Sequence, residues 1–270
     1  MLQVGTPPQN FPAAIDSGSG DLDIAGKGCV GCVTTPPNNG YDPTISSTSS
    51  AAFPYKFSNT YETCDLKHPT KPCTIAGKLY HDQVSVAGLG PVQVKLGSIQ
   101  EQDTNFDQFK QIDGVVGFTG GGRGEDVFGS LVAAGLCDNV WAICMSAGHK
   151  SNGTLTLGGV DPRLSDGPIA YVPDAGHGFH SVAVASFILT PSRARAARAA
   201  AAATGKAAET AAVASAPVAS KVTIPVGQPA ILDTGTNVLL LPPALLSSLA
   251  SAMCADATLA HCTDLFKSNQ

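Results

Sequence analysis

The sequence predicts an all-β chain with a few short helices. Three observations predict it. Its 270 residues include 29 Gly and 19 Pro, which cut the chain into short runs suited to strands and turns rather than long helices. Apolar and polar residues alternate through stretches such as HDQVSVAGLGPVQVKLGSI (81–99), the period of a half-buried strand. Hydrophobic residues make up 43% against 14% charged, enough for a sizeable core and too little charge for a disordered tail. A net charge of −5 argues against an electrostatic nucleic-acid binder.

Taken in order, Met1 to about Val160 consists of short apolar runs separated by Gly, Pro, Asn and Asp. Within it, GTLTLGGV (153–160) reads as a strand behind the hairpin signal Ser151-Asn152-Gly153. The triplet Asn152-Gly153-Thr154 also fits a glycosylation acceptor, although an Asn-Gly turn is the simpler origin of the triplet and the two can coexist. EDVFGSLVAAGL (125–136) predicts a helix, with Val127, Phe128, Leu131 and Val132 at helical spacing and Gly135 as its stop. Residues 191–221 are an Ala-rich, low-complexity run whose methyl groups bury too little to dock, and they read as a solvated insertion. VTIPVGQPAILDTGTNVLLLPP (222–243) returns to buried-strand character, and ALLSSLASAMCADA (244–257) predicts an amphipathic helix. No run of about 18 apolar residues is present, so no membrane span is expected. The start, MLQVGTPPQNF, has neither a basic region nor an apolar stretch of signal-peptide type.

Eight cysteines, at 29, 32, 64, 73, 137, 144, 254 and 262, fall as four sequence-local pairs. That pattern suggests small disulfide loops made in an oxidising compartment. Cys29 and Cys32 also have metal-ligand spacing, but no second such pair follows and His177-x-x-His180 lies far away in sequence, so no metal site is expected.

One internal repeat carries the chemistry. Ala13-Ala14-Ile15-Asp16-Ser17-Gly18-Ser19 matches Ala230-Ile231-Leu232-Asp233-Thr234-Gly235-Thr236: an apolar strand, Asp, a hydroxyl residue, Gly and a second hydroxyl residue. A single copy is ordinary turn chemistry. Two copies separated by most of the chain suggest two carboxylates brought together. Like charges at close range cannot both ionise readily, so such a pair holds one proton between them. One carboxylate can then take a proton from water while the protonated partner polarises a carbonyl. Amide hydrolysis without a covalent intermediate suits this device.

These segments resemble those of the pepsin-like aspartic endopeptidases. VGTPPQNFPAAIDSGSGDL (4–22) is similar to the family's first catalytic segment and AILDTGTNVLLLP (230–242) to its second. The resemblance implies catalytic roles for Asp16 and Asp233, with Ser17, Gly18, Ser19, Thr234, Gly235 and Thr236 supporting them. Ser17 and Thr234 would hold the two loops together, and Ser19 and Thr236 would bond the outer carboxylate oxygens. IDGVVGF (112–118) resembles the apolar-apolar-Gly stretch that crosses behind the first loop, followed by a helix and strand (127–146) and the strand closing the first lobe (153–162).

The implied fold is bilobal: an N-terminal lobe over 1–160 with the first Asp loop and a flap, and a C-terminal lobe over 161–270 with the second. No second apolar-apolar-Gly stretch lies between 237 and 270, so the resemblance implies an incomplete second lobe and a truncated chain. The resemblance makes Tyr61 the candidate flap tyrosine, on a long hairpin that a Cys64–Cys73 bridge would close; the equal alternative is a plain strand residue. Where the family tends to carry Asn-Leu-Trp, this chain has Asp21-Leu22-Asp23, two acids that either perturb Asp16 or face solvent.

The expected activity is aspartic-type endopeptidase cleavage of extended polypeptides at acidic pH, in a secreted or vacuolar monomer needing no cofactor. The alternative is a non-catalytic relative that binds peptide in its cleft. Nucleotide binding through Gly120–Gly124 is disfavoured because no Gly-Lys-(Ser/Thr) follows, and no G-x-S-x-G supports a serine hydrolase.

Overall fold

A computed structural model describes residues 1–34, 39–62, 64, 71–103, 112–119, 126–145, 153–165, 167–176, 178–189, 221–236 and 239–254. The chain divides into two compact units: Met1–Val182 together with Ile231–Val238, and Ala183–Ala230 together with Leu239–Gln270. Both Asp segments therefore belong to the first unit.

That unit is built on one eight-stranded sheet. Its strands are β1 (Leu2–Val4), β2 (Gln9–Phe11), β3 (Ala13–Asp16), β4 (Leu22–Val30), β5 (Ser50–Tyr61), β6 (Cys73–Val86), β7 (Leu89–Gln102) and β8 (Gly114–Gly117). They lie in the order β2-β1-β6-β7-β4-β8-β3, with β5 paired to β6. The alternation read at 81–99 is the β6–β7 hairpin: Val84 and Val86 on one strand and Val92, Val94 and Leu96 on the other turn inward. Its two-residue turn has Ala87 at φ 53° and Gly88 at φ 84°, the type I′ geometry that matches the twist of the flanking strands. The inward residues join Leu2, Val4, Phe11, Leu22, Ile24 and Tyr41 in the core.

Helix α1 (Val127–Ala133) closes this core with Val127, Phe128 and Leu131. Asp126 caps it, its Oδ1 accepting the Gly129 N–H at 2.6 Å. At the other end, the Gly135 N–H bonds the Val132 carbonyl and the Leu136 N–H the Leu131 carbonyl. With Gly135 at φ 69°, this is a Schellman stop that a side chain would strain. Strands β9 (Trp141–Cys144) and β10 (Thr154–Leu157) then pair antiparallel. Ser151 and Asn152, which begin the expected turn and the glycosylation triplet, fall outside the described residues, whereas Thr154 opens β10.

Strands β11 (Ser181–Leu189) and β12 (Val222–Ile231) form a two-stranded sheet, and helix α2 (Pro243–Cys254) occupies the predicted helical stretch. The expectation of a buried strand at 222–231 is not met. Ile224 alone in β12 is buried, while Val222 and Ile231 are exposed, because a two-stranded ribbon offers little to cover either face. The Ala-rich run lies almost wholly outside the described residues. Among the described residues, no helix is long and apolar enough to cross a membrane.

The cysteine reading needs one correction. Cys29–Cys32 and Cys64–Cys73 are disulfides, and Cys254 is also disulfide-bonded. Cys137 and Cys144 are free thiols. Cys137 packs towards Gly158 whereas the Cys144 Sγ faces the Leu164 carbonyl, so their neighbours in sequence carry them to different surroundings.

Candidate active site

Strand β3 runs parallel to β8, with Asp16 opposite Gly117, and antiparallel β4 covers the other edge of β8. The chain from 114 to 119 thus passes alongside the Asp16 loop. It is tied there by the Phe118 N–H on the Asp16 carbonyl (2.8 Å), the Gly117 N–H on the Asp21 carbonyl (2.8 Å) and the Thr119 N–H on the Ser19 carbonyl (3.0 Å). Asp16 is delivered to the end of a strand at 6% exposure, beside a core that keeps water away.

The two Asp segments make the same local bonds. Asp16 Oδ1 accepts the Gly18 N–H at 2.9 Å and its Oδ2 the Ser19 hydroxyl at 2.5 Å. Asp233 Oδ1 accepts the Gly235 N–H at 2.8 Å and its Oδ2 the Thr236 hydroxyl at 2.5 Å. Each carboxylate is oriented by its own loop, because a residue two or three positions on supplies the donors.

Four further bonds knit the loops together. The Ser17 N–H donates to Thr234 Oγ1 at 3.0 Å, and the Thr234 N–H to Ser17 Oγ at 2.9 Å. The Ser17 hydroxyl donates to the Leu232 carbonyl at 2.6 Å, and the Thr234 hydroxyl to the Ile15 carbonyl at 2.7 Å. Each hydroxyl both gives and receives, so the pattern is reciprocal. The approach is close enough that a Cβ on Gly18 would stand 2.6 Å from Asp233 Cγ, and one on Gly235 2.7 Å from Asp16 Cγ. Only glycine fits at either place.

Electrostatics follow from this packing. Burial raises the Asp16 carboxyl above the ordinary carboxylate range. Bonds from Ser19 and Gly18 work in the opposite direction, and a hydrogen bond and charge repulsion from Asp233 add to the rise. Asp233 opens onto a cavity of about 860 Å³ whose walls include Phe118, Phe128, Trp141, Met145 and Leu232.

A model of the eukaryotic aspartyl protease family matches residues 1–264. The chain belongs to this family. It is similar to gastricsin of Rattus norvegicus, with 26% identity over 257 residues, covering 92% of this chain and 55% of the relative. Cathepsin E of Cavia porcellus is 30% identical over 192 residues, 68% of this chain and 46% of the relative. Pepsin A of Suncus murinus is 25% identical over 193 residues, 70% and 47% respectively. The chain spans about half the length of the curated relatives it matches. Its mostly β architecture is that of the pepsin-like acid proteases.

Against that family pattern, the acids at 21 and 23 find a definite place. Asp23 is fully buried, its Oδ2 accepting from Asn59 at 2.8 Å and from the Tyr61 hydroxyl at 3.3 Å, while Asp21 accepts from the same Asn59 amide at 3.2 Å. Asp23 therefore does not face solvent. Tyr61 ends β5, opposite Cys73, and with Asp23 lines a second, small cavity rather than the large one.

Sequence reasoning passed over His180 except as a weak metal spacing. Its ring borders the large cavity and stands edge-on to Trp141, with centroids 5.3 Å apart. Among the described residues no cluster of three or more His, Cys, Asp or Glu is placed to hold a metal ion.

Proposed function

We propose that this protein is an aspartic-type endopeptidase that hydrolyses peptide bonds in extended polypeptides at acidic pH. The observation that carries the proposal is the close pairing of the Asp16 and Asp233 loops, held by reciprocal bonds between Ser17 and Thr234, 217 residues apart. With one proton shared, the ionised carboxylate takes a proton from a water molecule as its oxygen bonds to the carbonyl carbon. The protonated carboxyl gives its proton to the carbonyl oxygen, and a tetrahedral diol forms. Transfer of a proton to the amide nitrogen lets the C–N bond break, releasing an acid and an amine and restoring the shared proton. Acidic pH is favoured because the pair must keep that proton.

The aromatic and aliphatic lining of the large cavity supports substrates with apolar side chains near the scissile bond. Disulfides support folding in the secretory pathway, for secretion or delivery to a vacuole or lysosome. Both acids come from one chain, which supports a monomer acting alone. The two-lobed division at residue 160 and a flap role for Tyr61 belong to the same proposal.

The test is proteolysis of an unfolded protein at acidic pH by the wild type, Asp16→Asn and Asp233→Asn, with pepstatin binding measured in parallel. Either substitution is expected to lower kcat by at least about a thousandfold, since it removes the proton exchange on which the reaction depends. Unchanged cleavage in either variant overturns the proposal. Pepstatin binding by a wild type that never cleaves assigns peptide capture instead.

A further inference from the structure

Beside the acid pair the chain closes a ring of hydrogen bonds, and two of its members, Phe118 and His180, belong to neither Asp motif. The Asp16 carbonyl accepts the Phe118 N–H at 2.8 Å. The Phe118 carbonyl in turn lies 2.8 Å from His180 Nε2. The His180 carbonyl accepts the Leu232 N–H at 2.9 Å, and the Leu232 carbonyl accepts the Ser17 hydroxyl at 2.6 Å. The peptide bond from Asp16 to Ser17 completes the circuit. Two of the four links are backbone to backbone and form whatever the side chains are. The other two depend on Ser17 and His180.

A carbonyl oxygen only accepts, so the contact with Phe118 fixes the His180 proton on Nε2. Packing fixes the ring itself: the imidazole stands edge-on to Trp141, and Trp141 stands edge-on to Phe118, both at 5.3 Å. Residue 181 anchors the segment from the other side, because the Ser181 hydroxyl reaches the Gly176 carbonyl (2.6 Å) and Asp174 Oδ1 (2.9 Å) and donates its one proton to either. His180 thus joins Phe118, which is bonded to Asp16, to Leu232, which precedes Asp233.

We propose that His180 is a positioning residue for the hydrolytic reaction, keeping the Asp233 segment in register with Asp16 by bridging Phe118 and Leu232. The inference rests on the endopeptidase reading and adds to it the group that sets the relative placement of the two acids. Chemistry on a shared proton is sensitive to that placement, since small displacements of reacting groups cost rate rather than binding.

The test compares His180→Phe, which keeps a ring against Trp141 without a donor, His180→Gln, which keeps an N–H donor without the ring, and His180→Ala. Steady-state kinetics on a fluorogenic peptide are read with thermal melting of each protein. For Phe and Ala, kcat is expected to fall about tenfold, the size of one lost hydrogen bond, with KM within about twofold. Gln is expected to restore kcat to within about threefold of wild type, because the donor returns. Full kcat in His180→Phe, or equal losses in Gln and Phe, overturns the inference, as does a fall in kcat that merely tracks the melting temperature across the set. If the wild type itself never cleaves, the endopeptidase reading fails and takes this inference with it. An active wild type with indifferent variants removes the inference alone.

Discussion

The two Asp loops make the same hydrogen bonds and stand in different surroundings. Asp16 ends a strand inside an eight-stranded sheet, alongside β8, and is 6% exposed. Asp233 is half-buried and follows β12, a mostly exposed strand of a two-stranded ribbon. Orientation of each carboxylate is therefore local, written into the four residues of the motif. Location is not. The sheet places Asp16, whereas Asp233 is placed by cross-links from Ser17 and from the His180 carbonyl. Identical motifs should then respond differently to the same insult.

Short of removing an acid, the largest expected effect comes from filling the space between the loops. A methyl at Gly235 would press on Asp16, which the sheet holds, and a methyl at Gly18 would press on Asp233, which has fewer restraints. Both Gly→Ala variants are expected to lose activity, Gly235→Ala by about a hundredfold or more and Gly18→Ala by less. Parallel kinetics with melting curves check the order, and equal losses break the comparison.

A smaller effect is expected at the hydroxyls. Ser17→Ala leaves the Thr234 N–H and the Leu232 carbonyl without their partner, and is expected to cost about 1–3 kcal/mol. Thr234→Ala unpairs the Ser17 N–H and the Ile15 carbonyl, at a similar cost. Because the bonds interlock, denaturant melts of the double variant should show less than the sum of the single losses.

The smallest effect is a change in pH dependence. The folded state holds the Asp16 proton more tightly than the unfolded chain, mainly through burial. Its stabilising contribution is complete below the ordinary value of 3.8 and is lost as pH rises through the folded-state value. Asp42 behaves in the opposite sense. Its hydrogen bond with Lys27, helped by Thr44, lowers it to about 2, so its contribution is present above 3.8 and lost as pH falls towards about 2. Melting temperatures across this range should rise less on acidification in Asp16→Asn than in wild type. Asp42→Asn should lose stability at neutral pH and little at the acid end.

What the sequence makes legible is what short range determines. The Asp-hydroxyl-Gly-hydroxyl motifs, the β6–β7 alternation and helix α1 with its Asp126 cap and Gly135 stop each depend on residues a few positions apart. Asp23 was visible as a departure, but its burial under Asn59 and Tyr61 depends on pairing β5 across β6, which no local pattern announces. His180 was hidden for a similar reason: its partners, at 118 and 232, lie on either side of it and far away in sequence. Buried character was misread at β12, since an apolar strand is buried only if a second layer arrives. The free thiols Cys137 and Cys144 show that proximity along the chain does not aim two sulfurs at each other.

The separation of 217 residues between Ser17 and Thr234 also bears on synthesis. The β6–β7 hairpin joins residues a few positions apart and can form as soon as its strands emerge, whereas the acid pair is among the most sequence-distant contacts in the chain. A nascent chain that has not reached residue 236 carries one carboxylate with its local bonds and no partner. The paired acids can therefore form only once residue 236 has been made, after the β6–β7 hairpin can already have folded.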